Sequence, residues 1–474
     1  MPPTPPLFGL TAGTAKAARR AAEFAVQFCD LHFGGKEDSL PAALDDCDRQ
    51  GTYYVLNFEG APLGWTPSNE LKHQLEDRPG FLGFMLDEAD HMQINAHWPV
   101  IDYYGYDDCH FLAETEGLDL LSAREVVLES LRQKNAACQV SARPAASEHL
   151  FPVMMHTAAR AGLTISPKIL KETCGPIMLA VAMGAARQYN TDFWIDVDYW
   201  WHNEAIGHSV ERFRSALLLA YWSGADQVYV EGGAAYSNDH PVGRDIEAAY
   251  KKFLREYIPA HPRPYTWRDF RPEIAILRFD DTCFDERQHY LGEYPGPLYG
   301  HVPAGPENTE WLNIWSLLSH GFVRSDSASH QWEARRFGSR TLFVPLHNVA
   351  VYDHTAADPG LYRTARLVFL VGKQVAPACL ATLRALVEGG LTVVATRRLA
   401  PPGLRTVRRE GYVVHRSGAG RWIVTDDVTL PAVRDLLAPY LGQPDELRYV
   451  FGSTEVVFTA PRDPAQVQVT VRPR

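Results

Sequence analysis

Carboxylates stand where apolar strands stop at four places in the first half of this chain. The sharpest case is Gly80-Phe81-Leu82-Gly83-Phe84-Met85-Leu86-Asp87-Glu88-Ala89-Asp90-His91, an apolar run that ends abruptly in acids. The others are Lys168-Ile169-Leu170-Lys171-Glu172, Trp194-Ile195-Asp196-Val197-Asp198 and Val228-Tyr229-Val230-Glu231-Gly232-Gly233. Two carboxyl groups facing each other can cleave an acetal: one protonates the departing oxygen, the other attacks carbon or activates water. Glu88 fits the proton donor, with Asp87 as the group that orients it or binds a hydroxyl. Its purely structural reading is a surface acid capping the next helix. The apolar strand before it favours chemistry.

Glu231 and Glu172 are the two candidates for the second carboxylate, and the sequence leaves both open. Glu231 follows an apolar strand and precedes Gly-Gly, where substrate can approach the backbone. Satisfaction by turn amides is its structural alternative. Glu172 has Lys171 and Lys168 beside it, so an ion pair competes with a nucleophilic role, although an ammonium would also keep a nucleophile ionised. Asp198 follows, with alternation placing it on one strand face with Asp196.

Aromatic residues gather near these strand ends: Tyr199, Trp200 and Trp201, then Trp65, and Trp98, Tyr103, Tyr104 and Tyr106 in a long loop. Flat rings stack on the C–H faces of polyhydroxylated rings, whose hydroxyls then meet acids and amides. Phe193 and Trp194 read instead as core. Asn57, Glu59, His156, Asp30 and His32 also fall at expected strand ends. No HExxH or other metal spacing, no GxSxG elbow and no phosphate loop occurs, so the expected cofactor complement is none.

To converge, these positions need strands that end on one face. Short β-branched and aromatic runs alternate with helical patterns from residue 7 to about 233, the pattern of parallel strands joined by crossover helices. Eight strands are expected: Leu7–Leu10, Ala25–His32, Thr52–Phe58, Phe81–Leu86, Leu150–His156, Leu163–Leu170, Phe193–Asp198 and Gln227–Val230. That count and length suit a (β/α)8 TIM barrel, whose catalytic groups sit at strand C-termini. An open doubly wound sheet uses the same units, but no GxGxxG turn follows the first strand. The expected division is a barrel over 1–264, an α/β Rossmann-like domain over 265–405 and a small β-rich domain over 406–474.

The net charge of -11 excludes a general nucleic-acid binder. No apolar run reaches the roughly 20 residues of a membrane helix. The N-terminus lacks the basic and apolar segments of a secretory signal, and seven scattered cysteines suit a reducing compartment. A cytoplasmic protein is expected, secreted only if a leader has been removed.

On Phe81 to Asp90, and Leu86-Asp87-Glu88 above all, the chain resembles the clan of (β/α)8 glycoside hydrolases that carry an acid/base glutamate after the fourth strand. Arg366–Ala395, with Leu367-Val368-Phe369-Leu370-Val371, a helix, Glu388-Gly389-Gly390 and Leu391-Thr392-Val393-Val394, resembles the amidotransferase-like second domain of multidomain β-galactosidases. The resemblance implies a glycosidase acting on an oligosaccharide or glycoside, and a second domain that mediates homo-oligomer assembly. Two departures stand out. Asp87 replaces the clan's usual Asn, and the seventh strand ends in Asp198 where the clan has a nucleophilic glutamate. The competing expectation is a non-catalytic carbohydrate-binding protein on an inactivated barrel. A glutaminase-like activity would need a nucleophilic cysteine at a strand-to-helix elbow, and Cys379 lies inside a helical pattern.

Overall fold

The computed structural model describes residues 6–14, 17–58, 65–90, 93, 113–115, 117–170, 175–199, 209–231, 241–279, 306–323, 343–406, 410–459 and 465–474. The chain divides into two compact units: residues 1–171, 191–266 and 296–302 form one, and 172–190, 267–295 and 303–474 the other.

The first unit is a closed barrel of eight parallel strands in sequence order. They are β1 (Leu7–Gly13), β2 (Phe28–His32), β3 (Tyr53–Asn57), β4 (Phe81–Leu86), β5 (Ala146–His149), β6 (Thr164–Ile169), β7 (Trp194–Asp198) and β8 (Gln227–Glu231). The barrel closes where Leu7 to Leu10 of β1 run beside Gln227 to Val230 of β8. Its helices include α1 (Ala17–Phe24), α2 (Pro41–Gln50), α3 (Asn69–Glu76), α4 (Leu120–Cys138) and α5 (Met155–Arg160). Local capping is legible: Ser68 and Asp119 accept from the amides of Leu71 and Ser122 and so start α3 and α4.

Seven of the eight strands lie where the sequence pattern puts them. The fifth does not. Leu150–His156 forms the turn after β5 and the start of α5, and the strand is the short segment Ala146–His149 just before it. Ala-Ser-Glu-His lacks β-branched and aromatic residues, so the apolar run next to it drew the assignment. His156 therefore sits buried in the second position of a helix, not at a strand end.

The helix between β6 and β7, α6 (Gly175–Tyr189), belongs to the second unit. Every residue from Gly175 to Ala186 is buried, as expected for a helix that is apolar all round. Its Gly184 lies so close to the strand Val349–Asp353 that a Cβ there would stand 1.7 Å from the Val351 carbonyl oxygen. In the same unit a six-stranded sheet has the order β11-β9-β12-β13-β15-β14. Its strands are β9 (Ile274–Arg278), β11 (Val349–Asp353), β12 (Leu367–Val371), β13 (Thr392–Ala395), β14 (Tyr412–Ser417) and β15 (Gly420–Thr425). All pairings are parallel except β14 with β15. A four-stranded sheet joins β10 (Leu346–His347) to β16 (Glu446–Phe451), β17 (Thr454–Thr459) and β18 (Gln468–Pro473). Residues 412–425, grouped by composition with the β-rich C-terminal segment, thus complete the α/β sheet. The reason is that β15 pairs in parallel with β13 across the Pro401-Pro402 loop. Among the described residues no helix is long and apolar enough to cross a membrane.

Candidate active site

Alternation along the barrel strands builds the site in layers. Leu7, Phe28, Val55, Met85, Ala146, Trp194 and Tyr229, one from each strand except β6, form a buried apolar cluster. Moving two residues along each of these strands stays on the same face. From six of the seven, that step reaches Asp30, Asn57, Asp87, Glu148, Asp196 and Glu231. The exception is Gly9 on β1, where a Cβ would meet the Phe28 ring at 2.5 Å, so glycine makes room for the apolar layer below. An apolar floor is thus succeeded, toward the strand C-termini, by a polar shell.

Lys168 of β6 stands in the middle of this shell, with 2% of its side chain exposed. Its Nζ lies 3.0 Å from Glu88 Oε1, 3.1 Å from Glu148 Oε2, 3.3 Å from Asp198 Oδ2 and 3.8 Å from Asp196 Oδ2. It also donates to Glu231 Oε2. Burial alone would push the ammonium toward its neutral form, but Glu148, Glu231, Glu88 and Asp198 outweigh that and hold it protonated well above the usual lysine range. Burial likewise drives the Glu148 and Asp196 carboxyls well above the carboxylate range, against the pull of Lys168 and with the push of Glu231. Tyr229 donates its hydroxyl proton to Glu148 and lies 3.3 Å from Ser166 Oγ.

The acidic run at the end of β4 splits into three roles. Asp87 turns to Asn57, whose Nδ2 lies 3.4 Å from both Asp87 Oδ1 and Asp30 Oδ2. Asp30 in turn holds His32 Nε2 at 2.9 Å. Glu88 meets Lys168, with its backbone at φ 36, a left-handed value that costs a non-glycine residue free energy and marks many functional positions. Asp90 is structural: it accepts from the amides of Leu150 and Phe151 at 3.1 and 2.7 Å and so fastens the turn after β5.

Of the expected site residues, the structure brings Glu88, Glu231, Asp87, Asn57 and Asp198 into this one shell, with Asp30, His32 and Asp196 beside them. Tyr199 is buried against Phe213, ring centroids 5.8 Å apart, and burial pushes its hydroxyl up to about 12. Trp65 packs on Phe33 and Phe58, at centroid distances of 5.4 and 5.0 Å. Glu172, Glu59, Trp200, Trp201, Trp98, Tyr103, Tyr104 and Tyr106 lie outside the described residues. Glu148 was missed because its strand was misplaced. Lys168 was seen only as an ion-pair partner of Glu172; the alternation Ser166-Pro167-Lys168 is the signal that points it inward.

Glu148, Asp196 and Glu231 lie close enough together to share a metal ion, as do His32, Asp87 and Glu231. The first trio already shares a cation, the Lys168 ammonium, and the second has Glu231 bound to Lys168 and His32 bound to Asp30. In the second unit, the strand-end crevice lined by Glu310, Val371, Thr396 and Asp426 leaves about 10 Å3, the room of one water. Cys379 is buried inside α7 (Pro377–Glu388) with its thiol pushed up to about 12, which disfavours it as a nucleophile.

No protein-family model matches the chain, and no curated protein matches it in sequence. Solved structures do match the fold. A β-galactosidase from Bacillus circulans sp. alkalophilus superposes with a TM-score of 0.59 at 11% identity, over 100% of this chain and 98% of that one. A GH42 β-galactosidase from G. stearothermophilus, crystallised as a catalytic mutant, gives 0.52 at 12% identity over 96% and 92%. An exo-β-1,4-mannosidase from Opitutaceae bacterium strain TAV5 gives 0.50 at 11% identity over 91% and 93%. At such identities the likeness establishes the fold alone, a (β/α)8 barrel followed by α/β and β-rich sheets.

Proposed function

We propose that the chain is a glycoside hydrolase whose barrel mouth cleaves a glycosidic bond between Glu88 and Glu231. One observation carries the reading: among the described residues the only two Lys168-bound carboxylates with measurable exposure, 12% and 10% of their side chains, are Glu88 and Glu231. Glu148, Asp196 and Asp198 are sealed at 0% and cannot touch a sugar. Oxygens that contact one Nζ can be no farther apart than two contact distances. That bound, on one oxygen of each acid, suits the short carboxylate pair, about 5–5.5 Å apart, of enzymes that attack the sugar directly.

In this scheme Glu231 attacks the anomeric carbon while Glu88 gives its proton to the departing oxygen. Water, deprotonated by Glu88, then releases the sugar with net retention of configuration. The Lys168 ammonium contacts both carboxyls and so fixes them side by side. The clan-like alternative, a nucleophile on β7, would fall to Asp198, which is buried. Glu172 remains the other proposed second acid. Asp87 would bind a sugar hydroxyl, oriented by the buried Asn57 beside it, and Trp200 and Trp201 would form the stacking wall.

The second reading is a carbohydrate-binding barrel without turnover. It is favoured by the same ammonium, since Lys168 on both carboxylates is what a retired site could keep. A panel of nitrophenyl glycosides separates the two: hydrolysis that disappears in both Glu88→Gln and Glu231→Gln supports catalysis, whereas saturable binding without hydrolysis supports the second. The four described cysteines are buried thiols, which suits the proposed cytoplasmic setting.

A further inference from the structure

We propose that Lys168 is the positioning residue of the carboxylate pair, its ammonium serving as the built-in cation that fixes where Glu88 and Glu231 point and how many protons the barrel mouth holds. The inference rests on the glycosidase reading for what the pair does, but not for how the lysine acts on it.

One Nζ reaches carboxylates on four strand ends: Glu88 after β4, Glu148 on β5, Asp196 and Asp198 on β7, and Glu231 on β8. An ammonium has only three N–H donors, so the five acids compete for it, and each holds its place by its distance from a single point. Around that point the remaining titratable groups among the described residues are Tyr229 on β8, Asp87 after β4, and Asp30 and His32 on β2. Among the described residues of this shell Lys168 is the one permanent cation. Deleting it would leave like charges at close range in a buried site, which the protein can relieve only by taking up protons. A lysine suits the task better than arginine, because a compact point charge can face acids on several sides where a planar fork faces one.

The test needs two variants. Carboxyl carbons of the free protein, labelled with 13C at Asp and Glu, are titrated by NMR in wild type, Lys168→Met and Lys168→Arg. Lys168→Met should titrate its barrel-mouth carboxyls at least one pH unit higher, while Lys168→Arg stays near wild type. On a glycoside that wild type hydrolyses, Lys168→Arg should lose at least tenfold in kcat with KM within threefold, and Lys168→Met should move the acid limb of its pH profile upward by the same interval as its carboxyls. A folded Lys168→Met whose titrations superpose on wild type overturns the proposal, as does Lys168→Arg with unchanged kcat. Should Lys168→Met not fold, the arginine variant decides. Shifted carboxyls in a protein that hydrolyses no glycoside would sink the enzymatic reading and uphold the role of Lys168.

Discussion

The polar shell of the barrel shows how one residue can be both a liability and a device. Asp196 is fully buried, its Oδ2 stands 3.8 Å from the Lys168 Nζ, and burial together with Glu231 pushes its carboxyl well above the ordinary 3.8. A raised carboxyl means that the folded state holds a proton the unfolded chain releases. Its stabilisation is complete below the unfolded value and is lost as pH climbs from 3.8 toward the raised one. Asp196→Asn, which copies the neutral form, should therefore raise Tm at pH 8 by about 2–4 °C and leave it unchanged near pH 4, as followed by calorimetry. A variant less stable at pH 8 than wild type would mean that Asp196 is ionised and needed as a counter-ion to Lys168.

At the scale of elements, two contacts in the second unit make separate predictions. Gly184 of α6 has the Val351 carbonyl where its Cβ would go, backbone against backbone, with no flexible side chain to yield. Gly184→Val should lower Tm by about 5 °C or more, and an unchanged Tm would show that α6 can slide. Glu273 precedes β9 and is held by His347, Arg448 and Arg474. Burial by itself would raise its carboxyl, but the hydrogen bonds from His347 and Arg448 and the guanidinium charges bring it to about 2. This stabilisation is present above 4.5 and disappears as pH falls toward 2. Arg448→Met should accordingly destabilise in urea unfolding at pH 7, by about 1.5–3 kcal/mol for a lost charge-assisted hydrogen bond, and far less at pH 2. Strand positions were legible because seven barrel strands are apolar enough to announce themselves. Strand β5 was not: Ala146 and Glu148 face inward, Ser147 and His149 outward, and closure of the ring, not composition, makes this segment a strand. With β5 misplaced, Glu148 was invisible and His156 was given a strand end it does not occupy. Lys168 was visible as a residue but not as a hub, because the acids that meet it come from strands far apart in sequence.

For the whole molecule, the account makes the barrel the seat of chemistry and leaves the second unit to support it. Among the described residues its strand-end crevice leaves about 10 Å3 and the Cys379 thiol is buried with its pKa pushed up to about 12, and the proposed role of this unit is assembly. Analytical ultracentrifugation at micromolar concentration should therefore find a closed homo-oligomer, and a strictly monomeric active enzyme would require another role for that unit. The central claim is that Glu88 passes a proton to the departing oxygen of a sugar, and it meets its most direct test in the turnover of Glu88→Gln compared with wild type on glycosides graded by leaving group. The account predicts a loss of about a hundredfold to ten-thousandfold for poor leaving groups, a much smaller loss for nitrophenolates that depart without a proton, and a Tm near wild type. Near-normal turnover of a poor leaving group by Glu88→Gln would contradict it.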